Sequence, residues 1–218
     1  MTPVLFLIRT AKGPMKFMNV INRTSIVSLA LLAASASGSV AAADLSGIPS
    51  GTYVSDPTHA YVNFKYNHLG FSNPTLSFDE FSVSMDLDNA DPTKSSISVS
   101  IDPASIISGS EIWKEHLTGD KWFDVANHPE ITFQSTAIEA NGDGYKVMGD
   151  LTIKGVSKQI AMDVAINGAG PHPRSGDPIL GIEASGQVLR SDFGMGGAAP
   201  AVSDEVSLGL TVEMGKAK

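Results

Sequence analysis

Cysteine is absent from the 218 residues of this chain. Its absence removes thiol nucleophiles, disulfide staples, Cys-ligated zinc, iron–sulfur clusters and a lipid attached through an N-terminal cysteine. Basic residues are scarce as well: 15 Lys and Arg stand against 23 Asp and Glu, giving a formal net charge of -8 and an isoelectric point near 5.0. Affinity for a phosphate backbone rests on a basic surface, so this balance argues against a nucleic-acid partner. Missing too are H-E-x-x-H, G-x-S-x-G and the phosphate-cradling G-x-x-x-x-G-K-[ST]. No cofactor is expected from these motifs. Charged residues make up only 17% of the chain, yet 42% are hydrophobic, enough for a folded core.

Acidic residues are also absent from residues 1–43, which carry Arg9, Lys12, Lys16 and Arg23. From Ile26 an apolar run I-V-S-L-A-L-L-A-A follows, ending in the small residues Ala41, Ala42 and Ala43. The run is shorter than the roughly 20 residues that span a bilayer, and it suits the core of a secretory signal. We expect cleavage after Ala43, a periplasmic or secreted location, and no stable transmembrane anchor. Met15 begins a more conventional signal than Met1. The expected domain is then 44–218, which holds all the acidic residues and 11 of the 15 basic ones. A domain of that size needs no disulfide, so the lack of cysteine is compatible with an oxidising compartment.

What fills the remainder is alternation of apolar and polar residues, the period of a strand buried on one face. It recurs eight times. One set in each run reads Ala60, Val62, Phe64, Tyr66; Phe81, Val83, Met85, Leu87; Ile97, Val99, Ile101; Ile131, Phe133, Ala137. It continues as Tyr145, Val147, Leu151, Ile153; Ile160, Met162, Val164, Ile166; Leu180, Ile182, Ala184, Val188; and Val206, Leu208, Leu210, Val212. One apolar face and one wet face predict antiparallel pairing. Asn141-Gly142-Asp143-Gly144 and the Gly168–Pro178 stretch read as reversals. Between the third and fourth runs, Ser108 precedes Glu111 at capping-box spacing and Gly119 follows Leu117, predicting a short helix. Trp113 and Trp122 fall in that insertion, as a lid over one end of the sheet.

Eight one-sided strands close as a barrel or stack as a sandwich, and periodicity leaves both open. A closed barrel has an apolar interior that is either packed solid or left open to one small ligand. Five histidines occur: His59, His68, His116, His128 and His172. Asp56, His59 and His68 are the candidate ligands of a metal-dependent hydrolase, although Asp56-Pro57-Thr58-His59 also reads as a strand-start turn. His68 shares the parity of Val62 and Phe64, at the inner end of its strand. Arg190, in Arg190-Ser191-Asp192, either meets an anionic head group or bridges to Asp192. Gly194-Met195-Gly196-Gly197-Ala198-Ala199 imitates a dinucleotide loop, but Pro200 and another alternating strand follow it, so we expect a flexible surface loop.

In order along the chain come Asp56-Pro57-Thr58-His59, His68-Leu69-Gly70, His116-Leu117, Trp122-Phe123-Asp124 and His128-Pro129-Glu130-Ile131-Thr132-Phe133. Gly149-Asp150-Leu151-Thr152-Ile153-Lys154-Gly155-Val156, Arg190-Ser191-Asp192-Phe193-Gly194 and Asp204-Glu205-Val206 complete the set. In this order they resemble the YceI-like family of exported, lipocalin-like lipid-binding proteins. The resemblance implies an all-β fold: an extended eight-stranded antiparallel barrel with a short helical insertion, without catalysis. It implies a long polyisoprenoid ligand, an isoprenoid quinone or polyprenyl phosphate, held for transport or storage in the periplasm, and it allows a homodimer. The expected tail contacts are Phe64, Tyr66, Phe81, Val83, Met85, Phe133, Val147, Leu151, Met162, Val164, Ile182, Val188, Leu208 and Leu210. His68 and Arg190 are the head-group candidates. Two other readings stand beside it: the hydrolase, and a secreted stress-associated module with a solid core.

Overall fold

A computed structural model describes residues 44–218; the expected signal and its cleavage point lie outside them. Among the described residues no helix is long and apolar enough to cross a membrane. The eight alternating runs form long strands: β1 (Gly51–Lys65), β3 (Phe81–Leu87), β4 (Ser96–Ile101), β6 (Ile131–Asn141), β7 (Gly144–Ile153), β8 (Val156–Pro171), β9 (Pro178–Leu189) and β10 (Glu205–Lys216). Two short strands, β2 (Thr75–Phe78) and β5 (Ile106–Ile107), and one helix, α1 (Glu111–Thr118), fill the connections. Each long strand pairs antiparallel with its successor, and β10 returns to pair with β1. The ribbon is therefore a closed eight-stranded barrel with no free edge along most of its length.

Closure requires irregular pairing at three places, and these are where simple alternation fails. Between Ser55 and Ala60 β1 advances five residues while its partner advances from Met214 to Val212. The extra residues of Asp56-Pro57-Thr58-His59 bulge outward and reverse the parity, so Tyr53 is buried below the bulge and Val62 and Phe64 point inward above it. A second bulge falls between Ser135 and Ala137 of β6. It corrects the expected inward set: Ala137 is exposed and Ile138 takes the core position. The third bulge lies between Ile166 and Gly168 of β8.

Two glycines occupy inward positions for a steric reason. A β-carbon at Gly149 would collide with the Phe133 ring, and one at Gly186 would collide with the Met162 sulfur. Each glycine opens the space into which a long side chain of the neighbouring strand lies flat.

The interior separates into two packed clusters. One surrounds Tyr53, Met85, Leu87, Leu180 and Met214; it includes Leu45 and Ile48, which precede β1. The other joins Phe78, Ile106, Leu117, Phe123, Phe193 and Met195 beneath α1. The helix begins after Ser110, whose side chain makes no cap hydrogen bond, and Ser108 Oγ donates to the Ser110 carbonyl. The expected capping box is thus not formed, because Ser108 lies two residues before the N-cap and Glu111 is the first helical residue; Gly119 does end the helix.

The β6 bulge makes a direct prediction. Ile138→Ala removes a buried side chain and should cost about 2–5 kcal/mol in urea unfolding. Ala137→Lys should change stability by less than about 0.5 kcal/mol, the reverse of what unbroken alternation requires.

Candidate functional site

Between the two clusters the barrel encloses a cavity of about 230 Å³. A void that holds one water needs only about 10–15 Å³, so this space is far beyond a packing defect. Its wall comes from every long strand and is almost entirely aliphatic and aromatic. An apolar void gives water few hydrogen-bond partners and favours a hydrocarbon occupant. The alternative reading with a solid core does not fit this space.

Of the fourteen tail positions named from sequence, twelve line this cavity: Phe64, Tyr66, Val83, Phe133, Val147, Leu151, Met162, Val164, Ile182, Val188, Leu208 and Leu210. Phe81 and Met85 do not. Met85 points inward, as its parity requires, but is 4% exposed within the packed cluster below the cavity. Phe81 packs against that same cluster, beside the β1 bulge, where β1 pairs with neither Phe81 nor Ser82. Alternation reports which way a side chain points; it carries no information on the depth at which the interior stops being open.

The polar side chains converge at one end. Tyr66 and His68 follow β1, Arg190 follows β9, and Trp113, Leu117, Trp122 and Phe123 roof the space from the helical insertion. The lid has its own order. His116 stacks on Trp113 with ring centroids 4.9 Å apart and an interplanar angle of 16°. Its Nε2 accepts a hydrogen bond from Trp122 Nε1 at 2.8 Å. Burial pushes the Tyr66 phenol up, with Trp113 and the Arg190 charge opposing that rise. The ring nitrogens of His68 have no hydrogen-bond partner among the described residues, while its backbone pairs with Ser72 and Val202.

Arg190 is 6% exposed and is spent largely on its own chain. Nε donates to the Ser203 carbonyl at 2.8 Å, one terminal nitrogen to the carbonyls of Met195 and Gly197, and the other to Val202 at 2.8 Å. Its guanidinium carbon lies 5.4 Å from the Trp122 ring centroid. Arg190 is paired with no carboxylate among the described residues; the nearby Asp204 accepts from Ser191 instead. Of the two alternatives read from the sequence, the bridge to Asp192 is not formed among the described residues. The glycine-rich segment is accordingly no free loop: the guanidinium ties it down, and it delivers buried Met195 to the cavity wall. Sequence reasoning missed Met195, Phe193 and Val202, since no periodicity marks a loop held by a remote cation.

The metal-centre residues do not assemble. His59 Nδ1 lies 3.0 Å from Asp56 Oδ2 and 4.0 Å from Glu213 Oε2 on the wet outer face, whereas His68 lines the interior. Among the described residues no group of three potential ligands is placed to hold a metal ion. The hydrogen bond from His59, followed by those from Thr58, lowers Asp56 to about 2, and the same Asp56 contact raises His59. The raised imidazole contributes below its ordinary 6.5 and loses that contribution as pH rises; the depressed carboxylate contributes above its ordinary 3.8 and loses it in acid. The pair is therefore strongest between those two values.

Two measurements check these assignments. In an NMR titration His59 should titrate above 6.5 and fall back toward that value in Asp56→Asn. Arg190→Met strands several backbone carbonyls and should lower stability by at least about 2 kcal/mol, with faster amide exchange across 195–203. Arg190→Lys should not restore it, because an ammonium lacks the planar fork.

Comparison with known proteins agrees with this architecture. A "UPF0312 protein" of Yersinia pestis (strain Pestoides F) is 36% identical over 155 residues, covering 71% of this chain and 80% of the relative. The crystal structure of Burkholderia cenocepacia BcnA superposes with a TM-score of 0.66 at 26% identity, covering 73% of this chain and 98% of that one. A polyisoprenoid-binding domain from Saccharophagus degradans, implicated in plant cell wall breakdown, shares the fold with a TM-score of 0.56 at 12% identity, covering 78% of this chain and all of that one, 100%. The YceI-like domain matches residues 53–214, which span the barrel from Tyr53 to Met214, and the chain belongs to that family.

Proposed function

We propose that this protein is a non-catalytic carrier of an isoprenoid lipid, held with its tail in the barrel and its head group beneath the lid. The observation that carries the reading is the cavity itself: a space of about 230 Å³ whose wall is almost entirely apolar, with Tyr66, His68 and Arg190 gathered at one end. Each methylene moved from water into such a wall is worth about 0.8 kcal/mol, so affinity comes from tail length. The YceI-like fold and its likeness to a polyisoprenoid-binding domain support the isoprenoid class. The cationic, then apolar leader in residues 1–43 supports a carrier working outside the cytoplasm.

The polar end gives the head group two different neighbours. His68 has an unengaged ring facing the cavity, suited to a direct hydrogen bond with a quinone carbonyl or a phosphate oxygen. Arg190 acts mainly through its field, because its donors are committed to the 195–203 carbonyls. A charge without a carboxylate partner favours an anionic or strongly dipolar head.

Lipid extracted from protein purified out of a bacterial host should contain a prenyl lipid, and mass spectrometry distinguishes a quinone from a polyprenyl phosphate. Repeated preparations free of any prenyl lipid would overturn the reading. Both tryptophans of the chain line the cavity, so adding the identified lipid to stripped protein should also shift tryptophan emission, and the shift should be lost in Trp113→Phe/Trp122→Phe.

A further inference from the structure

The cavity stops short of the barrel's other end, at a layer where strand residues such as Tyr53, Met85, Leu180 and Met214 pack together with residues that precede β1. Five wall residues, Val83, Val147, Val164, Ile182 and Val212, belong also to the packed cluster that contains Leu45 and Ile48. Leu45 and Ile48 are 5% and 1% exposed, although they lie in the turn that precedes β1. They belong to one packed cluster with Tyr53, Met85 and Met214, and so back the layer on which the cavity ends.

That turn is built to stay in place. The Ile48 amide donates to the Leu45 carbonyl at 3.1 Å. Asn89 Nδ2 donates to the Ile48 carbonyl at 2.7 Å, and the Asn89 Oδ1 accepts from Ser50 Oγ at 2.6 Å. Tyr53 donates its hydroxyl to the Pro49 carbonyl at 2.7 Å, and Lys216 Nζ donates to the Ser50 carbonyl at 2.7 Å. Side chains from the start of β1, the loop after β3 and the end of β10 thus fasten one short segment across the barrel floor. A loop under such restraint does not swing aside for a ligand.

We infer that the Leu45–Ile48 turn is the stop that sets how long an isoprenoid tail this barrel accepts. The inference rests on the carrier reading and deepens it. With the polar groups gathered at the lid end, a bound lipid has its head there and its tail terminus toward the floor. Each prenyl unit gains by burial until the terminus meets the packed layer; any further unit must displace packed side chains or leave apolar surface in water. Because the stop precedes the first strand, its side chains tune tail length without altering the pairing that closes the barrel.

The test uses the lipid-stripped protein, prenyl alcohols of increasing length (farnesol, geranylgeraniol, solanesol) and tryptophan emission as the readout. Wild-type affinity should climb about fourfold per methylene and then stop climbing at a limiting length. Leu45→Ala/Ile48→Ala should move that limit to longer alcohols. Ile48→Val, a smaller truncation of the same turn, should move it the same way by less and keeps the question answerable if the double variant does not fold. A limit unchanged in the folded variants, or no limit in the wild type, would overturn the stop while leaving the carrier intact. Failure of every alcohol to bind wild type would bring down the carrier reading, and the stop with it.

Discussion

Everything in this molecule depends on β10 turning back to hydrogen-bond with β1. Strands with one apolar and one polar face have to hide the apolar one, and an open sheet would need a second layer to do so. Closure hides it against itself. Eight strands then enclose more width than the inward side chains fill, particularly where Gly149 and Gly186 contribute none and Phe133 and Met162 lie flat against the wall. The cavity is thus a consequence of strand number and side-chain volume together.

Neither end of the tube is finished by the strands. At one end the helical insertion provides a roof, with the Trp113–His116–Trp122 group as its outer course and Leu117 and Phe123 as its inner one. Beside it, the buried Arg190 charge is solvated by backbone carbonyls in place of water, so one side chain shapes the whole 195–203 segment and leaves a positive field in an apolar surrounding. At the other end the Leu45–Ile48 turn provides a floor fastened by polar side chains. A tube with a polar, roofed end and a packed, apolar end distinguishes the two halves of an amphipathic lipid before any specific contact is made.

The outer face shows the same economy. The Asp56–His59 group, which has the residue types of a metal or hydrolytic centre, sits on the bulge that reverses the parity of β1. Its carboxylate and imidazole shift each other's protonation as an exposed turn does, and the polar groups of that turn face water while the cavity behind it stays apolar. Composition alone would have placed chemistry here; geometry assigns the segment a backbone task.

Alternation along the chain determined by itself the eight strands, their antiparallel pairing and the inward direction of most wall residues, because a period of two is a local property of extended backbone. Where a bulge inserted residues, as before Ala60 and Ala137, the period lost its phase, and Tyr53 and Ile138 escaped notice. Only the tertiary structure decided how deep the open space runs, that Met85 lies under it, that Arg190 serves its own loop, and that Leu45 and Ile48 form the floor. Depth, closure and the partners of a buried charge arise from residues distant in sequence meeting in space, and such meetings leave no period for a sequence to display.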